Sequence, residues 1–301
     1  MANLHTRTLG RTGLEVTTLG FGAMELRGAP RGRDITPEQA ERVLNGVLDG
    51  GINYIDTSID YGSSEELIGR FISHRRSEYY LATKCGCLVG DQAAAPGQRF
   101  PHLYTRENIV AGVEQSLVRM KTDYLDVVQF HGNPSKETLE ENDAVATLLG
   151  LREQGKIRFI GMSSTLPNIL EHIEMGVFDV FQIPYSSLQL EHHNAITSGA
   201  SAGSGTVIRG GVAKGSPSDE KQQGDEWDLW KRAGLDDLLD GATRMEFLLR
   251  FTLSHPSLHT TIVGTLNTQH LQDNIDAAQK GPLPDDVYQQ AKLHMDKATQ
   301  G

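Results

Sequence analysis

With 301 residues the chain can bury a large core, and its 39 acidic against 28 basic residues leave a formal net charge of −11. That balance argues against nucleic acid or an anionic membrane surface as a main partner, since both select basic surfaces. No apolar run approaches the roughly 20 residues that cross a bilayer, and the opening MANLHTRTLG lacks the apolar centre of a secretion signal, so a cytoplasmic protein is expected.

The first expected element is a hairpin. TRTLGRTGLEVTTLG, residues 6–20, places β-rich flanks around an Arg11-Thr12-Gly13 turn and is suited to cap the closed end of a barrel. Short apolar runs then follow at 18–22, 52–57, 79–83, 127–131, 157–162, 180–183, 207–209 and 260–263, dense enough to be parallel strands buried on both faces. Helical stretches separate them. Thr36-Pro37-Glu38-Gln39 has the form of a capping box with proline at the first helical position, and Ser63-Ser64-Glu65-Glu66 has the form of a second. Apolar residues recur at helical spacing over 105–120 and again over 136–154, and 245–253 is a further apolar helix. Eight strands alternating with helices predict a (β/α)8 TIM barrel with an N-terminal β-hairpin cap and long loops, a single domain over residues 1–301. A doubly wound open sheet is the alternative, and counting separates the two only weakly.

Two long segments follow strand ends, where a barrel places its chemistry: 85–104 and 210–241. The second is rich in Gly, Ser, Asp and Lys but holds Trp227 and Trp230, which favours a loop packed on something, such as a lid, over a disordered one. The only cysteines, Cys85 and Cys87, are one residue apart. In a strand they point to opposite faces, so no disulfide is expected, nor a metal site.

Ionisable residues close three of the apolar runs: Asp56, Lys84 and His131, with Tyr61 in the loop after Asp56. The set has a chemical reading. Reduction of a carbonyl by hydride needs a proton for the oxygen, and an ordinary tyrosine, with a pKa of about 10, gives one up reluctantly. A neighbouring ammonium stabilises tyrosinate, so Lys84, held charged by Asp56, would lower that pKa, while His131 would hydrogen-bond the substrate oxygen. Singly, each residue reads more simply as a solvated or structural side chain; together, at successive strand ends, they point to a site.

The same residues carry a resemblance. GINYIDTSIDYGSSEELIG at 51–69, LATK at 81–84 and TDYLDVVQFHG at 122–132 resemble the aldo-keto reductase family, and the likeness extends over nearly the whole chain. It implies a catalytic tetrad of Asp56, Tyr61, Lys84 and His131, with Tyr61 as general acid–base. It implies an NADP(H) cofactor, with NAD(H) also open. The family's Gly-x-Ser-Asn is matched by GMSS, so Ser163 and, in place of asparagine, Ser164 would hold the nicotinamide carboxamide with Gln182, and Tyr185 would stack on the ring. Gly22 and Met24 fall on further cofactor positions, and Met24 and Glu25 also on the substrate pocket wall. The pyrophosphate loop departs from the family: Arg209, Gly210, Gly211 and Val212, then Lys214, stand there. Two glycines let backbone amides approach phosphates. Arg209 reads equally as a contact for an anionic substrate or cofactor and as one half of a surface ion pair. Gly264, Thr265, Leu266, His270, Asp273 and Asn274, in VGTLNTQHLQDN, fall at the adenosine end, where a helix N-terminus suits phosphate. The family often has Lys or Arg here for the 2′-phosphate, and Asp273 would repel it.

The expected partner is a small carbonyl or alcohol. Two alternatives stand beside the reductase: a barrel lyase or aldolase with a Schiff base on Lys84, and a cofactor-binding regulatory subunit with little turnover.

Overall fold

The computed structural model describes residues 4–89 and 101–300, so the part of the 85–104 segment over 90–100 lies outside the described residues. The chain opens with β1 (Thr6–Thr8) and β2 (Glu15–Thr17), an antiparallel pair with Arg7 opposite Val16. Then come β3 (Leu19–Gly22), α1 (Pro37–Asp49), β4 (Tyr54–Asp56), α2 (Ser64–Phe71), β5 (Tyr80–Cys85), α3 (Arg106–Met120) and β6 (Leu125–Phe130). The second half adds α4 (Lys136–Glu141), α5 (Ala144–Glu153), β7 (Ile157–Ser163), α6 (Asn168–Glu174), β8 (Val180–Pro184), α7 (His193–Ser201) and β9 (Gly205–Arg209). The chain ends with α8 (Asp225–Arg232), α9 (Arg244–Leu253), β10 (Thr260–Val263), α10 (Thr268–Gln279) and α11 (Asp285–Gln300).

Strands β3 to β10 are parallel and close into an eight-stranded barrel, β10 pairing with both β3 and β9. This is the expected (β/α)8 barrel, and the open-sheet alternative falls with the closure. The hairpin caps its floor. Leu9, Leu14 and Val16 pack with Tyr54, Ala82, Val127, Val180 and Val207, one apolar cluster inside the barrel. Leu9 sits so close to Gly205 that a Cβ there would meet its Cγ at 2.5 Å, and Arg11 clamps the hairpin to the barrel through Asp179 at 3.1 Å.

Local signals were realised unevenly. Thr36 caps α1, its Oγ1 accepting from Gln39 N at 3.2 Å. The second capping box does not form: Ser63 makes no cap hydrogen bond and instead donates to Leu26 O at 2.9 Å, while Ser64 donates to Ala23 O at 2.9 Å. Tertiary carbonyls from the loop after β3 outcompete the local amides. The stretch 136–154 is two helices, because Asp143 adopts φ 48° between α4 and α5, a conformation Asn and Asp tolerate better than most residues. The segment 210–241 is neither irregular throughout nor loose. It contains α8, and Trp230 is fully buried edge-on against Phe247, its Nε1 donating to Asp236 at 2.9 Å. Trp227 is clasped between Lys231 and Arg244 at 5.4 and 5.1 Å. Both tryptophans fasten the segment to α9. Among the described residues no helix is long and apolar enough to cross a membrane.

Candidate active site

Side chains alternate along a strand, so the residues two positions beyond the apolar floor also face inward. From Tyr54, Ala82, Val127, Val180 and Val207, that step leads to Asp56, Lys84, Gln129, Gln182 and Arg209. Every one is polar. The barrel thus changes from an apolar floor to a polar layer in a single turn of the pleat.

Asp56 is the hub of that layer. Lys84 Nζ donates to its Oδ1 at 2.6 Å and to Thr57 O at 2.7 Å; Gln129 Nε2 and Gln182 Nε2 donate to its Oδ2 at 2.9 and 2.8 Å. Gln129 fits because position 161 is glycine, where a Cβ would lie 2.7 Å from Gln129 Cγ. Burial works against the Lys84 charge, but Asp56 outweighs it, and the ammonium's pKa is raised. Lys84 Nζ lies 4.9 Å from the centre of the Tyr61 ring. The expected lowering of the Tyr61 pKa is not the net result: burial raises it, and the opposing pull of Lys84 only moderates the rise. His131, one residue beyond β6, packs edge-on to Tyr61 with ring centres 6.2 Å apart. Burial, aided by Lys84, pushes its pKa down to about 3, so the imidazole is neutral at pH 7. Its Nδ1 faces Cys87 Sγ at 3.1 Å, and both cysteines are free thiols.

The structure therefore brings Asp56, Tyr61, Lys84 and His131 together. It disposes the expected cofactor positions more variously. Ser163 Oγ donates to Gln182 Oε1 at 3.4 Å, at the edge of the polar layer. Ser164 turns away: its Oγ donates to Asn133 Oδ1 at 3.0 Å and lies 2.7 Å from His172 Nδ1. The Tyr185 ring is enclosed, stacked on Phe251 with its hydroxyl 2.9 Å from Tyr288 Oη. Arg209 is half-buried, and its guanidinium has no hydrogen bond or ion pair among the described residues, which removes the surface-ion-pair reading. Gly210 has φ 74° with open space where a Cβ would stand, whereas Gly211 is glycine because Thr261 Oγ1 lies 2.7 Å from that point. Val212 is half-buried and Lys214 exposed. Gly22, Met24 and Glu25 line the end of β3, with Gly264 against Gly22. At the start of α10, Thr265 Oγ1 accepts from Asn267 N at 3.0 Å, and Leu266 O accepts from Gln39 Nε2 at 3.1 Å. His270 Nε2 lies 3.9 Å from Glu220 Oε1, Asp273 accepts from Gln269 Nε2 at 2.9 Å, and Asn274 is half-buried beside them.

Three site residues escaped the sequence reading. Gln129 lies on the inward register of β6, and a period-2 count from Val127 finds it. Asn133 stands where its amide meets Ser164 and Thr165 N, the latter at 3.1 Å. His102 comes from the far side of a long segment, and no local signal marks it.

The sequence profile described as "Aldo/keto reductase family" matches residues 18–295. The chain belongs to the aldo/keto reductase family, and is an oxidoreductase of that family. It is similar to an uncharacterised oxidoreductase, YqkF, of Bacillus subtilis, at 26% identity over 97% of this chain and 96% of the relative. It is 29% identical to the NADH-specific methylglyoxal reductase of Escherichia coli over 62% of this chain and 61% of that one. Among solved structures, the holo form of aldo-keto reductase AKR11C1 from Bacillus halodurans superposes with a TM-score of 0.83 at 26% identity, covering 98% of this chain and 96% of that one.

Proposed function

We propose that this aldo-keto reductase interconverts a carbonyl and an alcohol using a nicotinamide dinucleotide, with Tyr61 as general acid–base. The observation that carries the reading is the buried Lys84 ammonium, fixed by Asp56 at 2.6 Å and placed 4.9 Å from the Tyr61 ring, beside a neutral His131. The residues present fit the dinucleotide. Arg209, with no hydrogen bond or ion pair among the described residues, and the open space over Gly210 suit its pyrophosphate, and Asn267 and the start of α10 suit its adenosine end. Ser163 and Gln182 would hold the carboxamide. When bound, the nicotinamide supplies or accepts the hydride.

The chain's own residues handle the proton. In reduction, Tyr61 Oη gives its proton to the carbonyl oxygen, and Lys84 stabilises the tyrosinate that remains. In the His131 tautomer whose Nδ1 accepts from the Cys87 thiol, 3.1 Å away, Nε2 is the donor that a carbonyl oxygen needs. Because the Tyr61 pKa is raised, the residue is protonated at neutral pH and ready for reduction; alcohol oxidation needs the tyrosinate and rises into the alkaline range. A Schiff base on Lys84 is disfavoured, since its amine is held charged and ion-paired.

The cofactor's form is set near α10. Glu220 places a carboxylate by His270 and Asp273 adds another in the first turns of α10, and these oppose a 2′-phosphate, narrowing the advantage NADPH would otherwise have. Tyr61→Phe tests the whole reading. Carbonyl turnover falls by about 100-fold or more, while cofactor affinity by titration is kept. Wild-type turnover in that variant, or binding of neither NADH nor NADPH by the folded protein, overturns it.

A further inference from the structure

Cys87, His102 and His131 form a cluster that the proton chemistry does not fully use. Their ligand atoms lie within 4.8 Å of one another. The Cys87 Sγ to His131 Nδ1 separation is 3.1 Å. Zinc–sulfur and zinc–nitrogen bonds of about 2.3 and 2.0 Å at a tetrahedral angle put S and N roughly 3.5 Å apart, so one ion fits between them with a shift of a few tenths of an ångström. Among the described residues, His102 Nε2 is buried and has no hydrogen-bond partner, an orphaned lone pair or N–H in the same cluster.

The cluster is built on a fixed frame. Cys87 and His102 face each other across an antiparallel bridge, flanked by Leu88 N donating to Pro101 O at 3.1 Å and Leu103 N donating to Gly86 O at 2.7 Å. Asn108 locks both arms, its Nδ2 donating to Cys87 O at 3.0 Å and to Leu103 O at 2.7 Å. Position 132 must be glycine, since a Cβ there would lie 2.8 Å from His102 Cγ. This brings His102 and His131 to a ring separation of 5.2 Å. Asp60 Oδ1, 3.7 Å from His131 Nδ1, adds negative charge beside the cluster.

We propose that Cys87, His102 and His131 bind a borderline-soft divalent transition metal of the Zn2+ class, with His131 ligating through Nδ1 in place of its contact with the Cys87 thiol. One thiolate, two imidazoles and an exchangeable fourth position are a ligand set such ions accept, and a hard ion such as Mg2+ does not. Binding forms the S–metal bond as the thiol proton passes to solvent; no electron changes hands.

The test is absorption spectroscopy of the purified full chain titrated with CoCl2, which reports thiolate ligation without any turnover. A thiolate-to-cobalt charge-transfer band in the near ultraviolet, saturating at one equivalent and bleached by ZnCl2, is expected. Cys87→Ser abolishes it, Cys85→Ala keeps it, and His102→Gln weakens affinity by at least about tenfold, the lower bound set by changes outside a metal's immediate shell. No band in the folded wild type, or an unchanged band in Cys87→Ser, overturns the proposal. Where Cys87→Ser fails to fold, unchanged cobalt affinity in His102→Gln does so.

Discussion

Replacing Asp56 by asparagine strikes the hub of the polar layer. Asp56 is 2% exposed and Lys84 1%, so no water repairs what is lost. The carboxylate accepts from Lys84, Gln129 and Gln182. An amide in its place leaves the buried ammonium without its compensating charge, and breaking a buried pair in this way costs about 3–5 kcal/mol. Its NH2 also turns toward a glutamine Nε2 or Lys84 Nζ, donor facing donor, for roughly a further 1 kcal/mol. With 301 residues at about 2.1 cal/mol/K each, 4 kcal/mol corresponds to a fall in Tm of about 6 °C. The raised Lys84 pKa means that its contribution is fully present below the unfolded lysine value and lost as pH rises past it, so measurement at pH 7.5 captures all of it. The assay is urea unfolding and calorimetry of Asp56→Asn, Lys84→Met and the double variant. The double variant removes both charges and should be more stable than the sum of the singles by about 1–3 kcal/mol. A loss under about 1 kcal/mol in Asp56→Asn, or strict additivity, refutes the account of the layer.

Further outcomes follow from the same geometry. Arg209→Gln removes a charged contact of about 1.5–3 kcal/mol, so cofactor Kd rises about 10- to 100-fold; a loss confined to KM for a carboxylated or phosphorylated carbonyl assigns Arg209 to the substrate instead, and no change in either refutes a binding role. Asp273→Asn raises NADPH affinity relative to NADH by about two- to fivefold in paired titrations, as expected of an exposed charge; an unchanged or falling ratio refutes the electrostatic reading. His255 and His259 have pKa values pushed down to about 4, chiefly by burial. Unfolding lets them take up protons below about pH 6.5, so stability falls as pH drops from there toward 4, by about 1.4 kcal/mol per pH unit for each. Urea midpoints that stay flat from pH 6.5 to 5 contradict this.

The barrel was legible because each strand is a short apolar run, and the gathering of Asp56, Tyr61, Lys84 and His131 was legible because Asp56, Lys84 and His131 end such runs. What stayed hidden depended on contacts across the barrel. Gln182 was expected as a carboxamide contact, but its amide donates to Asp56, 126 positions away, and no local pattern announces that partner. Ser63 carries the signature of a cap, yet the carbonyl of Leu26 takes its hydroxyl. His102 reaches its neighbours only through the bridge to Cys87 and the missing side chain at Gly132. The direction of the Tyr61 shift was misjudged for a related reason: Lys84 was visible as a charge, whereas the burial that outweighs it belongs to the assembled fold.

The hairpin floor makes the barrel a vessel with one opening. Leu9, Leu14 and Val16 seal the bottom beneath the polar layer, so water and protons reach Lys84, Asp56 and the two glutamines from above only. A ligand settling across the mouth would therefore act as a stopper, shielding the buried charge pair from bulk solvent.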